Sequence, residues 1–268
     1  MSMPTELETL RKLLRQHAEQ ELLSRFEQVD REFKRDGSIV TEADLAMQAS
    51  LRRALAGQWP GIPLLGEEMP AAEQASLLDA ADGPVWILDP LDGTSNFSAG
   101  IPFFSVSLAL IRDGRPMLGL VYDPVRDECF AAARGQGAWL NARILGSSMP
   151  ELPLARCTAC VDFKRLKPGL ARRLAEAPPY SSQRSFGSVA LDWCWIAAGR
   201  VHLYLHGRQK LWDYAAGCLI LEEAGGHSVG LDGEPVFQGN LEPRSAVAAL
   251  SGTLFRDWRR YLADIGAE

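Results

Sequence analysis

The sequence has no disulfide framework. Its five cysteines are an odd number without framework spacing. Cys157-Thr158-Ala159-Cys160 is a C-x-x-C pair, yet no second pair and no ligating histidine follow at zinc spacing. The pair sits in an apolar segment that reads as a strand, so buried free thiols are expected. Cys129, Cys194 and Cys218 also have apolar neighbours and read as core residues. A basic excess is missing too. The net charge of -6 argues against a general nucleic-acid binder, which carries a positive patch. No apolar run is long enough to span a bilayer. The stretch from Met1 to Glu8 is largely polar and acidic, so no leader peptide is expected. Repeats and long flexible linkers are absent, and Pro178-Pro179 reads as a short loop. These absences lead one to expect no membrane-spanning helix, no disulfide scaffold and a cytoplasmic setting.

What is present is ordinary for a globular protein. The 268 residues are 47% hydrophobic and 23% charged, enough for one large domain with an ample core. Leu10, Leu13 and Leu14 recur at helical spacing within a helix expected from Thr5 to Val29. A second helix is expected from Glu42 to Gln58. Phe103 to Ala132 reads as strands joined by turns at Asp113-Gly114 and Asp123-Pro124. Gly135 to Asn141 reads as turn, with a strand near Ile144. From Ala155 the pattern becomes strand, helix, strand, helix. Ser188 is expected to cap a helix reaching Gly199, Val201 to Leu205 to form a strand, and Asp213 to Ala224 a helix closed by Gly225-Gly226.

The most informative stretch is Asp89-Pro90-Leu91-Asp92-Gly93-Thr94. It follows Val85-Trp86-Ile87-Leu88, a buried strand that Pro90 is expected to end. Two carboxylates three residues apart then share one tight loop. Gly93 lets the backbone approach a ligand, and Thr94 supplies a hydroxyl where a helix can begin. Such oxygens suit a hard cation, although Asp, Pro and Gly also make plain surface turns. Three further acids sit in comparable settings. Leu64-Leu65-Gly66-Glu67-Glu68 ends a short apolar segment in paired carboxylates. Ser38-Ile39-Val40-Thr41-Glu42-Ala43-Asp44 gives a strand, a threonine cap and an acid in the first helical turn. Trp212-Asp213 puts an acid where another helix starts, a position that complements the helix dipole whatever else it does.

Together these segments resemble the inositol monophosphatase family of metal-dependent phosphatases. The matching pieces are Val40 to Asp44, Gly66-Glu67-Glu68, Trp86 to Phe97, and Trp212 to Gly217 continuing to Gly226, in the family's order and spacing. The resemblance covers nearly the whole chain. It implies an α/β fold, a layered sandwich alternating helix, sheet, helix, sheet and helix, of the inositol monophosphatase and fructose-1,6-bisphosphatase type. Residues 1–268 form one such domain, with a metal-site half to about residue 145 and a substrate-closing half from about 146.

The chemistry expected of such a site follows from charge. A phosphate monoester dianion repels hydroxide, so a catalyst must neutralise it, supply a nucleophile and stabilise the leaving alkoxide. Bound Mg²⁺ meets all three needs. Glu67, Asp89, Asp92 and Asp213 are the carboxylates expected to hold it. The resemblance adds the Leu91 carbonyl as a ligand and gives Thr94, paired with Asp44, the task of orienting the attacking water. It lets Glu68 hold a second water. The N–H groups of Gly93 and Thr94 are expected to cradle the phosphate.

Gly187-Ser188-Val189, segment 204–206 and Asp213 are expected, by the same resemblance, to line the substrate pocket. Many members carry a glutamate where this chain has His206, which reads either as a substrate contact or as a packed rim residue. Lys164 and Lys210 read as surface lysines or as contacts for a second anion. By the resemblance, the expected substrate is a small phosphorylated metabolite. Inositol 1-phosphate leads, with 3′-phosphoadenosine 5′-phosphate, a dinucleotide phosphate, histidinol phosphate and sugar phosphates as alternatives. A regulatory protein on the same fold is the alternative of another class, and the complete set of acids argues against it. The resemblance further implies inhibition by Li⁺ and a homodimer. Trp139, Trp193 and Trp195, among seven tryptophans, are candidates for the interface.

Overall fold

The computed structural model of the protein describes residues 3–26, 32–33, 39–79, 83–146 and 152–266. Helix α1 (Thr5–Ala18) runs into a π-helical turn (Glu19–Leu23). Strands β1 (Glu32–Phe33) and β2 (Ile39–Val40) pair ahead of α2 (Glu42–Gln58). Then come β3 (Leu64–Gly66), α3 (Ala71–Asp79), β4 (Val85–Asp92) and the short α4 (Thr94–Ser98). A meander follows: β5 (Ser105–Arg112), β6 (Arg115–Asp123), β7 (Glu128–Ala133), β8 (Gly137–Leu140) and β9 (Arg143–Ile144). The second half holds β10 (Thr158–Asp162), α5 (Pro168–Glu176), β11 (Ser182–Arg184), α6 (Val189–Ala197), β12 (Leu203–Gln209), α7 (Leu211–Glu223), β13 (His227–Val229), β14 (Arg244–Ala249) and α8 (Gly252–Asp264).

Two sheets result. One runs β3 to β9 in chain order, and the other runs β11-β10-β12-β14-β13. The first is antiparallel apart from β3 against β4. In the second, β11, β10 and β12 are parallel. Side-chain alternation sorts each sheet into two faces. Trp86, Leu88, Val106 and Leu108 pack under α1 and α2. Ile87, Ala109 and Val121 face the other way, against α6 and α7. Cys160, Tyr204 and Ala246 of the second sheet meet the same two helices, while Val161, Leu205 and Val247 face α5 and α8. The architecture is therefore the five-layer αβαβα sandwich that the resemblance implied. Helix α7 lies between the sheets and is buried over most of its length, with Glu222 of its last turn exposed, which is why it shows no amphipathic stripe.

Several local expectations change. Pro90 does not end its strand: β4 runs on to Asp92 through an irregularity between Asp89 and Asp92, the kind of bulge that admits proline within a sheet. The first helix stops at Ala18, and Val29, like Ser38, lies outside the described residues. Gly135 to Asn141 is not all turn, since β8 occupies its centre. The strand expected at Val201 begins at Leu203 and reaches Gln209, and the helix expected at Asp213 begins at Leu211. The turn at Asp113-Gly114 is as read, with both residues at positive φ, the shape a two-residue hairpin needs. All five cysteines are free, four of them buried and Cys218 partly so. Trp139 and Trp193 are buried in the core, so neither is available to an interface.

The close approach of α6 and α7 depends on Gly217, where a Cβ would stand 2.5 Å from Trp193 Cβ. Trp193 has little room to yield, because its Nε1 donates to Gln209 Oε1 at 2.7 Å. Gly217→Ala is expected to destabilise the fold by about 1–3 kcal/mol through overpacking, seen as a melting temperature lowered by several degrees. An unchanged melt would contradict this packing.

Candidate active site

The C-terminal ends of the parallel strands β10, β11 and β12 and the N-termini of α6 and α7 meet one edge of the sandwich. The end of β4 meets the same edge from the first half. Such an edge is where layered α/β proteins bind ligands. Asp89 and Asp92 come from the bulged end of β4, Glu67 follows β3, and Asp213 is the third residue of α7.

Each acid is held by its own local structure. Asp89 Oδ1 accepts from Leu91 N–H at 3.0 Å. Asp213 Oδ2 accepts from Lys210 N–H at 2.8 Å. Glu67 is fixed through its backbone, with N–H to Leu88 O at 3.0 Å, and Gln74 Nε2 donates to the carbonyls of Gly66 and Glu67. A side chain at Gly66 would collide with Gln48, whose Oε1 receives Glu68 N–H. Asp92 reaches across the molecule. Its Oδ2 accepts from Ser188 Oγ at 2.6 Å and from Ala190 N–H at 2.7 Å. Ser188 is thus the residue before α6, as expected, but it does not cap the helix with its own side chain. Asp92 does that instead.

These carboxylates repel one another. Burial, then the charges of Glu67, Asp92 and Asp213, push the Asp89 carboxyl well above its usual range. Burial, with Glu67 and Asp92, does the same to Asp213. Asp92 rises to about 6 through burial, although its bonds to Ser188, Ala190 and Val189 oppose the shift. Lys210 offsets part of the charge, with Nζ 3.5 Å from Glu67 Oε1 and 5.2 Å from the Trp212 ring centroid. Among the described residues, no three acids, histidines or cysteines have closed to ligand distance. The donor set nonetheless fits a hard divalent cation: it is all oxygen, partly desolvated and short of positive charge.

Asp44 and Thr94 form a separate pair. Asp44 is the third residue of α2 and is buried. Its Oδ2 accepts from the N–H and the hydroxyl of Thr41, at 2.8 and 2.6 Å. Its Oδ1 lies 3.1 Å from Thr94 Oγ1, which is also 3.0 Å from Leu91 O. Burial raises the Asp44 carboxyl to about 6 against the bonds from Thr41.

Gly93 stands between the two groups at φ 97°, and an added Cβ would press on Phe103 O at 3.1 Å and Gly187 O at 3.3 Å. Gly187 is itself at φ 84°. Asn96, given no role by the sequence reading, joins these segments: its Nδ2 donates to Phe103 O at 2.8 Å and Phe186 O at 2.7 Å. Its place inside the aspartate motif was the available signal. Ser105 Oγ, 3.3 Å from Ser188 Oγ, extends the same network.

The structure therefore brings together Glu67, Asp89, Leu91, Asp92, Gly93, Thr94, Asp44, Asp213 and the segment Gly187-Ser188-Val189. His206 is different. It is buried, its Nε2 lies 3.2 Å from Asp162 Oδ2, and its Nδ1 accepts from Arg208 N–H at 3.2 Å. Both ring nitrogens are occupied, so His206 has no hydrogen bond left for a substrate.

A phosphate-ester hydrolase that works with a metal ion is the class this sandwich and its acidic edge define. Residues 4–262 match the sequence model of the inositol monophosphatase family, and the chain belongs to that family, whose members are phosphoric monoester hydrolases. The inositol-1-monophosphatase of Bacillus subtilis is 32% identical over 226 residues, covering 82% of this chain and 83% of that protein. The Nus factor SuhB of Pasteurella multocida is 38% identical over 200 residues, 72% of each chain. Among solved structures, an inositol monophosphatase of Thermotoga maritima superposes with a TM-score of 0.81 at 28% identity, covering 98% of this chain and 100% of that one.

A carboxyl whose pKa is raised by folding keeps its proton longer in the folded state. In cation-free protein the contribution of these carboxyls to stability is then fullest below the ordinary value of roughly 3.9. That contribution is lost as pH rises through about 6 for Asp44 and Asp92, and Asp89 and Asp213, also raised, act in the same direction. Added Mg²⁺ should raise the melting temperature strongly near pH 7.5 and little near pH 5 (both approximate), where these groups hold protons. An equal rise at both values would refute the electrostatic account.

Proposed function

We propose that the chain hydrolyses phosphate monoesters of small hydroxylated metabolites, inositol 1-phosphate foremost, with Mg²⁺ as its cation and in the cytoplasm. The observation that carries this is the Asp44–Thr94 pair set beside the four repelling carboxylates. Glu67, Asp89, Asp92, Asp213 and the Leu91 carbonyl would hold the cation. When bound, Mg²⁺ neutralises the phosphate and makes water a better nucleophile near neutral pH. Thr94 Oγ1 donates toward Asp44 Oδ1, which leaves its lone pairs to orient the attacking water. A carboxyl near 6 suits Asp44 to take the proton that this water loses. The water oxygen bonds to phosphorus, the ester P–O bond breaks, and the leaving oxygen is protonated. The N–H groups of Gly93 and Thr94 face the phosphate. The name Nus factor describes the Pasteurella relative. In this chain the complete acidic set supports the enzyme reading.

Phosphate release is expected to require a divalent cation and to stop in excess chelator. Asp44→Asn should lower turnover by about 10²–10⁴-fold with cation affinity kept. Asp89→Asn should abolish turnover yet raise the melting temperature of cation-free protein, because it removes one repelling charge. Full activity in chelator, or an Asp89→Asn protein less stable than wild type, would count against the site. Li⁺ at millimolar concentration should inhibit at saturating Mg²⁺, by occupying a cation position with too little charge to release product. A flat Li⁺ titration would remove that element.

The reading includes a homodimer. Ile101 and Val125 are exposed beside Arg126, whose guanidinium covers the Phe103 and Trp195 rings at 5.4 and 5.7 Å. Trp195, only partly buried, is the one of the three tryptophans that remains a candidate. Light scattering is expected to give twice the mass of one chain. A result of 29.4 kDa would refute the dimer.

A further inference from the structure

His206 and Asp162 form a pair that the reaction described so far does not use. Strand register creates it: β10 and β12 are parallel neighbours with Asp162 opposite His206 and Cys160 opposite Tyr204. Paired residues of adjacent strands project from the same face, so all four point toward α6 and the first half. Core packing agrees, since Cys160 and Tyr204 belong to the cluster shared with α6 and α7. Asp162 is the last residue of β10. It lies at the strand end from which β11 leads to Gly187-Ser188 and from which β12 leads to Lys210 and Asp213. The aspartate is thus at the same edge as the acidic cluster, beside the segment bonded to Asp92.

The two side chains are unequal in exposure. His206 is 3% exposed and Asp162 28% exposed, so the imidazole forms the floor and the carboxylate faces outward. With Nδ1 accepting from Arg208 N–H, the proton of neutral His206 is on Nε2, and Nε2–H donates to Asp162 Oδ2. Asp162 Oδ1 accepts from Lys164 N–H at 3.0 Å. The turn behind it is fixed, because a Cβ at Gly207 would strike Arg165 O. Burial works against the Asp162 carboxylate, but His206 and Arg165 outweigh it and hold the carboxyl below its ordinary value. A carboxylate has about four acceptor directions. Two are in use, which leaves two for ligand hydroxyls.

We infer that Asp162, oriented by His206, binds the leaving group through its hydroxyls and selects esters of polyhydroxylated alcohols over esters without hydroxyls. This rests on the phosphatase reading above and adds a specificity residue to it. Asp162 is the contact, and His206 is a positioning residue that never meets the substrate.

The test compares inositol 1-phosphate with 4-nitrophenyl phosphate, whose leaving group carries no neighbouring hydroxyl. Asp162→Asn exchanges an acceptor-only group for one that also donates. It should lower kcat/KM for inositol 1-phosphate roughly tenfold to hundredfold, chiefly through KM, and leave the aryl ester within about twofold. His206→Leu should reproduce part of this selective loss, and His206→Gln, which keeps an N–H for Asp162, should restore most of it. If Asp162→Asn does not fold, the His206 pair carries the comparison. Parallel loss on both esters, no loss on either, or a wild type that cleaves only the aryl ester overturns the inference and leaves the phosphatase reading standing. A wild type inactive on both esters with Mg²⁺ overturns both.

Discussion

Repulsion among buried carboxylates is the constraint on which the molecule is organised. Glu67, Asp89, Asp92 and Asp213 are brought together from the turn after β3, the end of β4 and a helix, and burial raises the cost of the negative charge on the three aspartates. A fold tolerates such a cluster only if strong local contacts hold each member. The bulge at the end of β4, the bond from Leu91 N–H to Asp89 and the bond from Lys210 N–H to Asp213 are those contacts. Stability is given up at the edge of the sandwich and recovered in its layers, where most of α7 is buried between the sheets.

The environment also separates one acid from the rest. Asp44 is as buried as Asp89, yet its carboxylate accepts two bonds from Thr41 and lies beside Thr94 rather than among the repelling group. One kind of side chain thus meets two environments: mutual repulsion in the cluster, and two donated bonds from Thr41 at Asp44.

Much of this was legible in the sequence, because the informative features are short-range. Asp89 to Thr94 is one loop, Thr41 and Asp44 share one helical turn, and Asp213 sits in another. The layer order followed from the family resemblance. What escaped notice depends on partners distant in the chain. Ser188 has the residue type of a cap, but the competing carboxylate lies 96 positions earlier. His206 invited a reading as a free contact because the strand register opposite Asp162 cannot be seen in either segment alone. Pro90 looked like a strand end because a bulge leaves no signature apart from the partner strand. Trp139 and Trp193 looked available because composition does not say which side of a layer a ring occupies.

The bond from Asp92 to the start of α6 has a consequence for how the chain can be divided. A cut, a circular permutation or a hybrid with a relative made between β9 and β10 would part Asp92 from α6. A fragment beginning after that point would leave the first turn of α6 without the carboxylate that completes it, and Ser188 without its acceptor. A hybrid would retain the cap only if the incoming first half supplied an aspartate at the same height above Gly93. Asp92 therefore ties the start of α6 to the end of β4, and Asn96 adds a second tie through its bond to Phe186 O.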